Sequence, residues 1–323
     1  MPHAIQHIMV FPDAELRSTS ALHLAAAIAR RAGARIQACI AGHEPMVERA
    51  GIAGGPDVML LARRGWIDER QQWLQQQVRT WSGAGVAIEP EVVWSAHPSD
   101  TMLEKIADTT PDLVIKDAGE AHFGARLMMG SDDWRLAHRS PAPVAVVRSG
   151  HSELPRRVLA AVDCALDSAD SIHPLNQAVL NESLRLAIYA DAQVHVAFAI
   201  PREPASSPWM RRVIDAYREV RARDLSAFTR LCDLYQVPRD RRHVLEASGP
   251  ASALRRCARE LETDLIVIGS GQQAWLDRAI LGHTSQAVLG AAECNVLVVR
   301  EPGAATALLR RASDRPGRDA TLI

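Results

Sequence analysis

Two short turns in the sequence carry residue types that hold phosphate: Gly130-Ser131 and Gly282-His283-Thr284-Ser285. Each stands at the expected start of a helix. Unpaired N–H groups and the positive end of the helix dipole gather there, and both suit an anion. Glycine lets a phosphate approach the backbone, and a hydroxyl adds a hydrogen bond. A flexible loop, Gly269-Ser270-Gly271, precedes the second turn. Asp13 and Asp163 each follow an apolar run, where a carboxylate can accept from a ligand edge. The same residues also have plainer roles. Ser131 is a good helix N-cap, and Thr284 and Ser285 are first-turn hydroxyls. Gly130 and Gly282 suit tight turns, and each aspartate can order the loop after its strand.

These residues recur because the chain repeats. Asp112–Arg148 aligns without a gap on Asp264–Arg300, and His97-Pro98 falls on Gly249-Pro250. Each half alternates short apolar runs with amphipathic stretches. IQHIMVF, ARIQACIA, VAIEPEVVW, LVIK and PVAVV read as strands in the first half. RVLAAVD, QVHVAFAI, RHVLEA, LIVIG and NVLVV match them in the second. Such alternation predicts an α/β fold with a parallel sheet covered on both faces. In the first half a glycine-rich stretch, GIAGGPD, precedes a long helix near Val58 to Trp81. Trp66, Trp73, Val78 and Trp81 share one face of that helix, a pattern expected of core. RRVIDAYREVRARDLSAFTRL in the second half is a charged amphipathic helix, expected to show a solvated face. Ser149 to Arg157 is the expected linker between a first domain, residues 1–150, and a second, 151–302. Residues 303–323 are expected to form a flexible tail.

Composition narrows the function. Lys and Arg number 37 against 38 Asp and Glu, so no strong field steers nucleic acid or anionic membranes. No uncharged apolar run approaches the roughly 18–20 residues of a membrane span. The N-terminus lacks a signal-peptide pattern. Five widely spaced cysteines form neither a disulfide framework nor a CxxC knuckle, which fits a reduced cytoplasm. No HExxH or dense histidine cluster marks a metal, although His43-Glu44, His97 and His122 fall on the expected ligand side. A GxSxG elbow and a Walker A loop are absent, so no catalytic residue is assigned.

The order VLAAVD … GP-helix … DLIVIGSG … LGHTS … CNVLVVR resembles the universal stress protein family. The tandem arrangement resembles its E-type, two-domain members. The resemblance implies two Rossmann-like domains of the adenine nucleotide alpha hydrolase type, each a five-stranded parallel sheet with helices on both faces. It also implies pairing through the last strands, so PVAVV and NVLVV are the expected seam of an internal pseudo-dimer. A further homodimer, or an unknown small-molecule or protein partner, fits the same scheme.

Nucleotide-binding members of the family carry a G-x2-G-x9-G-[S/T] loop, and this chain departs from it. In the second half Gln272 and Trp275 stand at the first two glycine positions. Gly282 matches the third, His283 replaces the hydroxyl residue, and Asp163 matches the adenine-side acid. In the first half Glu120 and Phe123 stand at the glycine positions, and Asp132 and Asp133 follow Gly130-Ser131. Bulky side chains crowd a triphosphate, and acidic ones repel it. The expected function is therefore stress-response binding or regulation, with degenerate nucleotide loops and no robust turnover. The alternative is an ATP-binding, weakly hydrolysing switch sited in the second half, with candidate contacts Asp163, Gly269, Ser270, Gly271, Gly282, His283, Thr284 and Ser285. Asp13, Gly130 and Ser131 are the weaker first-half equivalents. Arg126 and Arg278 align between halves as further anion contacts or solvated helix ends.

Overall fold

The computed structural model describes residues 3–82, 85–119, 132–167, 171–203, 211–271 and 280–301. The first half contributes β1 (His7–Phe11), β2 (Arg35–Gly42), β3 (Ile88–Trp94), β4 (Leu113–Asp117) and β5 (Val144–Val147). The second contributes β6 (Arg157–Val162), β7 (Gln193–Pro201), β8 (Arg242–Ala247), β9 (Leu265–Ser270) and β10 (Asn295–Arg300). All ten form one sheet in the order β3-β2-β1-β4-β5-β10-β9-β6-β7-β8. Within each half the strands pair in parallel.

The two halves meet at β5 and β10, the expected seam. These strands pair antiparallel, with Val146 opposite Val296 and Val144 opposite Val298. Asn295 fastens the join: its Oδ1 accepts from Arg148 N at 2.9 Å and its Nδ2 donates to His151 O at 2.9 Å. The strands near the seam are Val, Ile and Leu runs buried on both faces, as parallel sheets under two helical layers require. The outer strands β3 and β8 are only partly buried, and β3 tolerates Pro90 because one of its sides is an edge.

Helices cover both faces. On one side lie α1 (Ser20–Ala32), α3 (Pro56–Ser82), α6 (Pro174–Ala190) and α7 (Arg211–Leu234). On the other lie α4 (Pro98–Thr109), α5 (Asp132–Arg139), α8 (Pro250–Glu260) and α9 (Ile280–Ala291). Each face has its own apolar core, and each core runs through both halves. Helix starts follow the repeat: Pro98 opens α4 and Pro250 opens α8, where a missing N–H costs nothing. Gly33 closes α1 at φ 70°, a left-handed conformation.

The tryptophan-bearing helix packs as core. Trp66 is buried, and Trp73 and Trp81 lie against the same cluster. The glycine-rich stretch ahead of it is partly helical. It ends a helix, α2 (Pro45–Gly54), whose Gly54 packs so closely on α3 that an added Cβ would lie 2.8 Å from Val58 Cγ2.

Candidate functional site

Strand order reverses between β1 and β4, and between β6 and β9. A crevice opens at each reversal, beyond the carboxyl ends of the strands. The expected aspartates stand there, Asp13 after β1 and Asp163 after β6. The two crevices are furnished differently.

In the first half the protein fills the crevice with its own groups. Asp117, at the end of β4, aligns with Gly269 of the second half. Its Oδ1 accepts from Ser18 Oγ at 2.8 Å and from Ala21 N, in the first turn of α1, at 2.9 Å. Its Oδ2 accepts from Asp13 N at 3.1 Å. A carboxylate thus takes the backbone donors that a ligand anion would seek. Burial pushes the Asp117 carboxyl above the ordinary carboxylate range, against the pull of those three hydrogen bonds. Beside it, Asp133 accepts from Gly119 N at 2.9 Å and pairs with Lys116 Nζ at 2.6 Å. Burial opposes the Lys116 charge most strongly, but Asp133, Asp132 and Asp117 together hold the ammonium above its usual pKa. Asp132 accepts from Ser99 Oγ at 2.6 Å. Asp132 and Asp133 were expected to repel phosphate. The structure shows them bonded to the protein's own donors, so they occupy those donors as well.

The roof of this crevice is aromatic. Trp66 lies so close to the end of β2 that a Cβ on Gly42 would be 3.3 Å from its Cζ2. Trp94 meets it edge to face at 5.1 Å. The Arg70 guanidinium sits 4.0 Å over the Trp66 ring, and its Nε donates to Ala14 O at 3.0 Å. Asp13 itself orders the loop, accepting from Glu15 N and Arg17 N at 3.2 and 3.0 Å.

In the second half the corresponding region is a cavity of about 390 Å³. Its walls are mostly apolar, with Leu175, Val179, Phe198, Ile200, Leu254 and Ile268 among them. Asp163, Asn176, Tyr217, Asp224, Thr284 and Ser285 supply polar groups. That volume lies within the usual range for small-ligand pockets. Asp163 Oδ1 accepts from Ala165 N at 3.2 Å, capping a short 3-10 turn, Cys164–Leu166. Burial raises the Asp163 pKa, and the charges of Asp224 and Asp167 add to the rise.

A scan against protein families matches residues 4–148 and again 155–300 to a single family, the universal stress proteins. The chain belongs to the universal stress protein family. It is similar to universal stress protein E of Salmonella typhi, at 27% identity over 91% of this chain and 94% of that one. The Escherichia coli K12 protein of that name is 26% identical over the same shares. Among solved structures, a Pseudomonas aeruginosa PAO1 protein of unknown function matches with a TM-score of 0.73 at 21% identity, covering 97% of this chain and 98% of that one. A universal stress protein from Archaeoglobus fulgidus matches at 0.59 and 14% identity, covering 91% and 96%. At these identities the structural matches speak to the fold alone.

Set in this tandem universal stress protein, the other expected site residues fall as follows. Gly269 borders the cavity, but a Cβ there would lie 2.7 Å from Leu175 Cγ, and one on Gly271 would lie 3.7 Å from Leu175 Cδ2. Gly269 makes room for a leucine of α6. Ser270 turns toward the seam, where its Oγ lies 3.0 Å from His138 Nδ1 of the first half. Ser285 Oγ donates to Gly269 O at 2.8 Å and ties α9 to the end of β9. Gly282 and His283 fall in the first turn of α9. Gly130, Ser131, Glu120, Phe123, Gln272, Trp275, Arg126, Arg278 and His122 lie outside the described residues. His43 stacks edge-on against Trp94, and His97 precedes α4. Among the described residues, no group of three or more His, Cys, Asp or Glu could hold a metal ion. All five cysteines are buried and free. Burial pushes their thiols up, Cys39 to about 12 and Cys232, Cys257 and Cys294 to about 11, so none is poised as a thiolate. None of the described helices is long and apolar enough to cross a membrane.

Two contributions escaped the sequence reading. Asp117 was not singled out, although DLVIKDAG and DLIVIGSG differ at that very position. The charged amphipathic helix of the second half also supplies part of the cavity wall, which its solvated face gave no sign of. Tyr217, Val220, Arg221 and Asp224 of α7 line the cavity, at helical spacings of three, four and seven.

Proposed function

We propose that this universal stress protein works as a stress-response binding and regulatory protein, reading one small ligand in the cavity of its second half. The contrast between the halves carries this reading. Residues 151–302 keep an open cavity of about 390 Å³ beside Asp163. In residues 1–150 the same place is taken by Asp117, Asp133, Trp66 and Arg70. Duplication gives two scaffolds, of which one binds and one supports. We place the protein in the cytoplasm, a reading supported by five free, buried thiols.

An ATP-binding, weakly hydrolysing switch is the second reading. It draws on Asp163, Thr284 and Ser285, which line the same cavity. Isothermal titration with ATP, ADP and AMP, joined to native mass spectrometry of co-purified ligand, separates the two. The binding-protein reading expects a small co-purified molecule without a triphosphate and no heat from ATP. Tight ATP binding that Gly282→Trp abolishes would establish the switch instead.

A further inference from the structure

We infer that Asp163 and Asp224 select the ligand of the second-half cavity for hydrogen-donating nitrogen and positive charge: an aromatic or alkyl amine or amidine whose apolar body lies among Phe198, Ile200 and Leu254. This deepens the proposed function and rests on the cavity being the ligand site.

The polar groups lining the cavity are unequally committed. Asn176 Nδ2 donates to Asp163 O and to Asp167 Oδ1, both at 2.9 Å. Tyr217 Oη donates to Pro201 O. Ser285 Oγ donates to Gly269 O at 2.8 Å. Arg221 forms an ion pair with Glu246. These donors serve protein acceptors, and the cationic one is neutralised. The carboxylates are the opposite case. Asp163 accepts from Ala165 N at 3.2 Å, and it and Asp224 both line the cavity. Asp224 is 93% buried, and Arg223 Nε and Nη2 donate to its Oδ1 at 3.1 and 2.9 Å, both on one oxygen and from a side chain that is 59% exposed. Two carboxylates on the wall of a largely apolar cavity are costly where an acceptor oxygen lacks a donor. A ligand bearing N–H groups supplies one. An anion meets like charge at the same place. Charge selection of this kind sets specificity more than it adds raw affinity.

Three isosteric probes test the inference by isothermal titration against the full chain: 2-naphthamidine, 2-naphthamide and 2-naphthoate. The amidine should bind about tenfold or more tighter than the carboxylate, a difference of about 1.4 kcal/mol. In Asp224→Asn and in Asp163→Asn that ratio should fall at least threefold, with unchanged far-ultraviolet circular dichroism and a cooperative melting transition showing that each variant is folded. The wild-type ratio should also shrink at high salt, which needs no variant. Naphthoate binding as tightly as the amidine would overturn the charge selection and leave the cavity standing as a ligand site. If none of the three binds at millimolar concentration, the cavity reading falls and this inference with it.

Discussion

Lys116 Nζ and Asp133 Oδ1 lie 2.6 Å apart, an ion pair that joins the end of β4 to the first turn of α5. Both side chains are nearly buried, at 11% and 16% exposure. Removing one partner strands the other's charge, whereas removing both does not. Asp133→Ala should therefore cost about 3 kcal/mol in urea unfolding, and Lys116→Met with Asp133→Leu should recover most of it. A double variant as unstable as the single one would show that the pair is not what Asp133→Ala breaks.

Gly269 faces Leu175 at a distance that admits no Cβ. Gly269→Ala forces a shift in a packed wall and should cost about 1–3 kcal/mol, read as a lowered melting temperature. Adding Leu175→Ala should restore part of that loss, because the colliding atoms are Leu175 Cγ, Cδ1 and Cδ2. No recovery would mean that position 269 answers to backbone conformation.

Asp117 sets a pH signature. Its folded pKa is raised, so the folded state holds the proton more tightly than the unfolded chain does. Its contribution is present below the ordinary carboxylate pKa of about 4 and is lost as pH rises through the folded value. The stability of the wild type relative to Asp117→Asn should therefore fall as pH rises above about 4, measured as urea midpoints. A difference that grows over this range would mean that Ser18, Ala21 and Asp13 outweigh burial.

The strands along the chain and the positions of the two aspartates were legible because each depends on local pattern. Short apolar runs mark the strands, and Asp13 and Asp163 each follow the first strand of their half, 150 residues apart where the later segments repeat at an offset of 152. The seam needed the family resemblance as well, since nothing within PVAVV names its neighbour. What filled or shaped the crevices was not legible, because it arrives from elements distant in sequence. Trp66 and Arg70 reach the loop after β1 from α3, and Tyr217 and Asp224 reach the cavity from α7. Helical periodicity gives the face of α7 but cannot say what that face meets. The acids after Ser131 could be read as hostile to phosphate, but not as partners of the protein's own groups. Their bonds to Ser99, Gly119 and Lys116 depend on a packing of α5 that sequence spacing does not encode.

Asn295 links the halves through its side chain alone. It is 5% exposed; its amide oxygen accepts from Arg148 N of the first half, and its amide nitrogen donates to His151 O of the linker. Asn295→Ala leaves Arg148 N and His151 O without those partners and should lower stability by about 1–3 kcal/mol. Hydrogen exchange should locate the loosening at β5 and β10. Protection lost evenly over the whole sheet would show that the two halves unfold as one unit regardless of this residue.

Because β5 and β10 run in opposite directions, the carboxyl ends of β1–β5 and of β6–β10 emerge at opposite rims of the one sheet. The plugged crevice and the open cavity therefore look away from each other. A protein docking over either rim meets a single face of the duplicated molecule, bearing Asp13 or Asp163 but never both. The chain is two-fold in architecture and one-sided in what it offers.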